Sequence, residues 1–168
     1  MSLHSREEVD MRTWIVTLLI AAVVMATLMA QGAEVPYPDG YRDWRHVKSM
    51  VISEGHPLYD AFGGIHHLYA NDLALKGYAS GTFPDGAVIV FDLLEAETKN
   101  AATTEGSRKV LGVMHKDAKR WPTTGGWGFE AFKGDSKTER VVGGDAAKAC
   151  FACHTSQKGN DYVFSRTR

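Results

Sequence analysis

A chain of 168 residues with 19 Lys and Arg against 20 Asp and Glu is one domain's worth of nearly neutral sequence. Its 44% apolar and 23% charged content suits a globular protein and excludes both a disordered tail and an all-membrane protein. A net charge of -1 leaves no basic field to hold nucleic acid, so that class of partner is excluded too.

Trp14 to Ala30 is an uncharged apolar run preceded by Arg12 and followed by small residues, the outline of a secretory signal over residues 1–33. No A-x-A site is present, since cutting after Ala33 puts Gln31 at minus three and cutting after Ala30 puts Leu28 there; an uncleaved anchor is the alternative. Met11-Arg12 would make a more usual start than Met1. Losing residues 1–33 removes Arg6 and Arg12 together with Glu7, Glu8 and Asp10, so the mature domain, 34–168, is formally neutral. The expected location is the periplasm, where thiols are oxidised or otherwise occupied.

Pro36, Pro38, Asp39 and Gly40 predict an extended, turning start rather than a helix. Arg45 to Ser53 and Gly63 to Ala70 read as strands. Asn71-Asp72 offers an N-cap for a short helix over Leu73 to Ala79, ended by Ser80-Gly81. The turn Phe83-Pro84-Asp85-Gly86 leads into the strongest strand, Ala87 to Glu97. Thr98 to Gly106 reads as a polar connection, and Arg108 to His115 as another strand. Gly125 to Lys133 alternates Trp127, Phe129 and Ala131 with Gly128, Glu130 and Phe132, a strand pattern. Asp145 is placed to cap a last helix that carries the cysteines. The fold class that follows is α+β: a mainly antiparallel sheet with short flanking helices.

The two cysteines, Cys150 and Cys153, close too small a loop to staple a fold. They belong instead to Cys150-Phe151-Ala152-Cys153-His154, a C-x-x-C-H. Two thiols at that spacing can add to the two vinyl groups of one haem, and the adjacent imidazole then ligates its iron. A thioredoxin-type redox pair would want a βαβ setting, and a zinc site would want a second ligand pair; neither is present. One covalent haem c, with His154 as the metal ligand, is the expectation, and export agrees with it.

What fills the sixth position of the iron separates carriers from gas-binders and enzymes. Beyond the leader only Met50 and Met114 remain, both in strand-like segments where core packing is the better reading. Of His66 and His67 one must face inward if that segment is a strand; a satisfied half-buried histidine is the better reading than an axial ligand, with donation of a hydrogen bond to an iron-bound ligand as the functional alternative.

The run from Tyr41 to Glu97, with YRDWR near its start and FPDGAVIVFDLLE at its end, then GGWGFE at 125–130 and ACFACH at 149–154, resembles the cytochrome P-460 family. The resemblance implies a dimeric, mostly antiparallel β fold with one c-haem on His154, and two functional branches. In one, hydroxylamine is oxidised by a haem cross-linked to a lysine. In the other, cytochrome c′-beta, nitric oxide or carbon monoxide binds five-coordinate iron under a cap of phenylalanines. This chain has Phe91 where the cross-linking lysine falls, which draws it toward the c′-beta branch.

Phe91 shares a strand face with Ala87, Ile89 and Leu93, and Phe62 is the natural second cap, with Phe83 behind it. Lys76, under a shifted alignment, and Glu105, with Glu95 and Glu97 as further carboxylates, are the catalytic candidates if the enzymatic branch applies. Solvated surface is the default for each. Arg42, Arg45 and Arg108 are candidates to neutralise haem propionates. The reading is a periplasmic mono-haem cytochrome that binds a small gaseous or nitrogenous ligand, with hydroxylamine oxidation and electron transfer to a periplasmic partner as alternatives.

Overall fold

The computed structural model describes Trp14, Val16 and residues 34–167, so the expected leader lies, but for those two residues, outside the described residues. The chain divides into two units, 1–32 and 33–168, and the second carries the fold. Among the described residues no helix is long and apolar enough to cross a membrane.

Five antiparallel strands, β1 (Arg45–Ile52), β2 (Gly64–Ala70), β3 (Val88–Lys99), β4 (Ala102–Lys116) and β5 (Trp127–Lys133), pair in chain order as a meander. A two-residue turn dictates the pairing of β3 with β4, and the longer connections return each other strand beside its predecessor, as consecutive elements usually do. One helical turn, α1 (Tyr59–Phe62), joins β1 to β2, and α2 (Asp72–Ser80) lies between β2 and β3. Asn71 caps α2 by accepting the Ala74 N–H at 2.9 Å, a contact worth about 1 kcal/mol, and Gly81 closes the helix in the left-handed conformation. The α+β expectation is met.

Alternation along the strands gives the sheet two faces. Ala70, Ile89, Met114 and Phe129 form one cross-strand row, and Leu68, Phe91, Gly112 and Ala131 form the next row on the same face. Ala70, Ile89 and Phe129 join Ala74, Phe83, Trp127 and Val163 in the larger core, against which Cys150 and Phe151 pack. The other face buries Val90, Leu111, Val113 and Phe132 under Val35 and Tyr41.

Three expectations need correction. Thr98 to Gly106 is hairpin rather than connection: β3 runs to Lys99, and Asn100 and Ala101, at φ 53° and 63°, make the whole turn. Cross-strand pairs such as Thr98 with Thr103 sustain pairing in a polar segment that shows no core alternation. Asp145 caps nothing by its side chain; it ends a 3-10 turn, after which Ala147–Phe151 is a π turn, Ala152–His154 one α turn, here α3, and Thr155–Asn160 a 3-10 run. Met50 is 51% exposed, because β1 is an edge strand, whereas Met114 packs against the core as expected.

Candidate functional site

The C-x-x-C-H segment lies on the face that carries Ile89 and Phe129. Cys150 sits half-buried on the π turn, its thiol pKa pushed up by burial, while Cys153 is exposed and the two are not bridged. His154 packs its ring 5.0 Å from Phe129 and 5.0 Å, edge to face, from Phe164. Its Nδ1 lies 2.7 Å from the Tyr162 carbonyl. A carbonyl can only accept, so Nδ1 carries the proton and Nε2 keeps its lone pair. Burial depresses the pKa of this imidazole, favouring the neutral form that a metal requires.

That carbonyl comes from an unusual backbone. Asp161 and Tyr162 are consecutive non-glycine residues at φ 48° and 66°, a conformation that costs roughly 1–2 kcal/mol per residue and persists only where surroundings impose it.

The expected cap residues are brought together from separate elements. Phe62 ends α1 and meets Phe91 of β3 edge to face, 5.9 Å between centroids. His66 faces the same side as Phe91, 4.7 Å from its ring and only 2% exposed, while His67 faces the other side. His66 Nε2 donates to the Phe62 carbonyl, so its neutral ring presents Nδ1 as an acceptor, and that atom has no hydrogen-bond partner. The sequence-based expectation of a donor is thereby reversed. Burial lowers the His66 pKa and keeps it neutral.

Other candidates are placed elsewhere. Phe83 is core, packed on Tyr78 and Trp127. Lys76 is exposed on α2. Glu105 accepts from His67 Nε2 at 2.6 Å, on the side away from Phe91. Glu95 and Glu97 are exposed. Arg42 and Arg108 both bind Asp92, at 3.0 and 2.6 Å, on the face opposite Phe91, so neither lies where a propionate on the Phe91 face would need it. Arg45 begins β1 opposite Ala70. A lysine not expected from sequence, Lys109, donates to the Gly63 carbonyl at 2.8 Å, beside Phe62. Tyr162 and Phe164 were equally invisible, since a carbonyl and an aromatic contact leave no motif, and Phe129 was legible only as a strand residue of GGWGFE.

Do these residues fit a haem? The row Leu68, Phe91, Gly112, Ala131 is small on β4 and β5, and it lies on the same sheet face as the Phe129 row, against which His154 packs. Phe62 and Phe164 are 41% and 56% exposed, apolar surface that a porphyrin would cover. Among the described residues no group of three or more His, Cys, Asp or Glu could hold a metal ion alone, and a single imidazole suits iron already held by a macrocycle.

A family model described as Cytochrome P460 matches residues 38–165, from the turn before β1 to beyond the C-x-x-C-H. The chain belongs to the cytochrome P460 family. It is therefore a haem cytochrome of c type, and the region matched includes the sheet, both phenylalanines and His154. No curated protein matches the chain.

Proposed function

We propose that this cytochrome P460 chain is an exported mono-haem protein that binds a small diatomic ligand, such as nitric oxide, at five-coordinate iron. The observation that carries the reading is the pairing, on one sheet face, of His154 with its Nε2 free and Phe62 against Phe91. Cys150 and Cys153 anchor the macrocycle through thioethers, and the iron, when bound, supplies the ligand-binding position. His154 would hold that iron through Nε2. Phe62 and Phe91 would exclude water and anions from that position, and Met114, the remaining thioether near this face, is taken up by core packing.

Export follows from the leader and from the need to attach haem c outside the cytoplasm. Family resemblance supports a homodimer, for which the exposed Met50 and Val51 of edge strand β1 offer apolar surface. Sedimentation of the holoprotein tests it.

A second reading, hydroxylamine oxidation, draws on Lys109 beside Phe62. It requires a lysine–haem cross-link, a base and a periplasmic electron acceptor. Mass spectrometry decides: trypsin should release residues 149–158 carrying one haem. A second, lysine-bearing peptide joined to it, or a strongly red-shifted ferrous Soret band, would overturn the diatomic-binding reading. A six-coordinate low-spin spectrum without added ligand would favour plain electron transfer.

A further inference from the structure

Asp161, one residue before the carbonyl that receives His154, donates its N–H to the Lys158 carbonyl of its own helical run at 3.2 Å, but its carboxylate and carbonyl are held by groups from elsewhere in the fold. Its Oδ1 accepts from Lys116 Nζ at 2.7 Å, its Oδ2 from the Phe83 N–H at 2.8 Å, and its backbone carbonyl from Trp127 Nε1–H at 2.8 Å. These donors belong to the end of β4, the loop before β3 and the start of β5. Lys116 also donates to the Gly125 carbonyl at 2.9 Å and lies over the Trp127 ring, 5.0 Å from its centroid. Its ammonium and the Asp161 carboxylate are both nearly buried, at 10% and 13% side-chain exposure, so the pair is little screened by solvent.

Two left-handed residues in succession need such bracing. Rather than relaxing to an ordinary extended chain, which would carry the Tyr162 carbonyl away from His154, the backbone is tied to the sheet at Asp161. The imidazole is thereby tied to the sheet as well as to the short helical run that carries it, whose Gln157 carbonyl accepts the Tyr162 N–H at 2.8 Å.

We infer that the Lys116–Asp161 ion pair is a positioning device for the axial histidine: it fixes the Tyr162 carbonyl, and through it the tautomer, orientation and basicity of His154. The inference rests on His154 being the iron ligand. A carbonyl held against Nδ1–H strengthens the electron donation of the opposite nitrogen, as outer partners of metal-bound histidines do. Lys116 and Asp161 touch neither iron nor ligand, and act only through Tyr162.

Holoprotein variants test this. Lys116→Met keeps the stem over Trp127 and removes the charge; Asp161→Asn keeps an acceptor for Phe83 and tolerates the left-handed backbone. The iron–histidine stretch in resonance Raman of the ferrous protein should move to lower frequency in both, and the reduction potential should rise. Lys116→Arg should restore both toward wild type. If Lys116→Met does not accumulate folded, Asp161→Asn carries the same readouts. Unchanged stretch and potential in a folded, fully loaded variant would overturn the positioning role while leaving His154 as ligand. Absence of an iron–histidine stretch in the wild type, or its survival in His154→Ala, would instead strike the axial reading itself.

Discussion

Phe62 and Phe91 stand almost perpendicular, 87° between ring planes, although one ends a single helical turn and the other lies mid-strand at the centre of the sheet. The contact gives each ring a fixed neighbour at an otherwise open face, since Phe62 is partly exposed. Truncating Phe91 removes the inner ring and lets Phe62 sag. Phe91→Ala should raise carbon monoxide affinity by about tenfold, the equivalent of about 1.4 kcal/mol. It should cost about 1–3 kcal/mol of stability, less than a fully buried phenylalanine would. Flash photolysis and thermal melting measure the two effects. Unaltered affinity would place the diatomic site away from Phe91.

Gly77 offers a substitution whose local and tertiary effects oppose. Alanine is the better helix former by about 1 kcal/mol, and Gly77 lies inside α2. Its Cβ, however, would fall within the ring of Phe83, which is itself wedged between Tyr78 and Trp127. Overpacking of that kind typically costs 1–3 kcal/mol or more, so Gly77→Ala should melt several degrees below wild type. An equal or higher melting temperature would show that Phe83 has room to move.

Much of this arrangement was legible in the residues. β3 reads as a near-continuous apolar run over its first seven residues because it is central and buried on both sides there, and Asn71 and Gly81 mark the ends of α2 by chemistry that is local. The C-x-x-C-H is a contiguous motif, so its chemistry could be read without a fold. What could not be read is non-local. The hairpin at Asn100-Ala101 lacks the glycine that usually signals such turns, and its exposed strands carry no core pattern. Tyr162 acts through a carbonyl, a group every residue possesses. Arg42 and Arg108 looked free until Asp92, more than forty residues from one of them, was seen to claim both.

Asp92 is fully buried and receives Arg42, Arg108 and the Tyr41 hydroxyl, the last at 2.6 Å. Deleting the carboxylate removes the acceptor of the Tyr41 hydroxyl and the buried counter-charge of Arg108, whose side chain is only 12% exposed. Asp92→Ala should therefore lose about 3–5 kcal/mol by denaturant titration, whereas an effect under about 1 kcal/mol, the range of exposed pairs, would mean that solvent reaches the cluster.

The same cluster sets an alkaline limit. Burial, with the Asp92 charge adding to it against the opposing Arg42 hydrogen bond, pushes the Tyr41 pKa from 10.0 up to about 12. The unfolded chain thus loses this proton first. The stabilisation is complete below pH 10, declines above it, and is gone once pH has risen through about 12. Tyr41→Phe should flatten this part of the stability profile, measured by melting from pH 9 upward. An equal slope in the variant would assign the alkaline loss to other groups.

The two cysteines are equivalent in the motif but not in the fold. Cys150 packs against the larger core, whereas Cys153 is exposed on α3. In protein prepared without haem, Cys150→Ala should cost about 1 kcal/mol through lost apolar contact, and Cys153→Ala should stay within about 0.5 kcal/mol of wild type. With haem the asymmetry should fall away, because either remaining thioether still tethers the macrocycle against extraction by acidified acetone. Only the double variant should release it. Extraction of haem from the wild type would refute covalent attachment outright. Retention by the double variant would mean that a residue other than these two cysteines carries the bond, with Lys109 the first to examine by peptide mass.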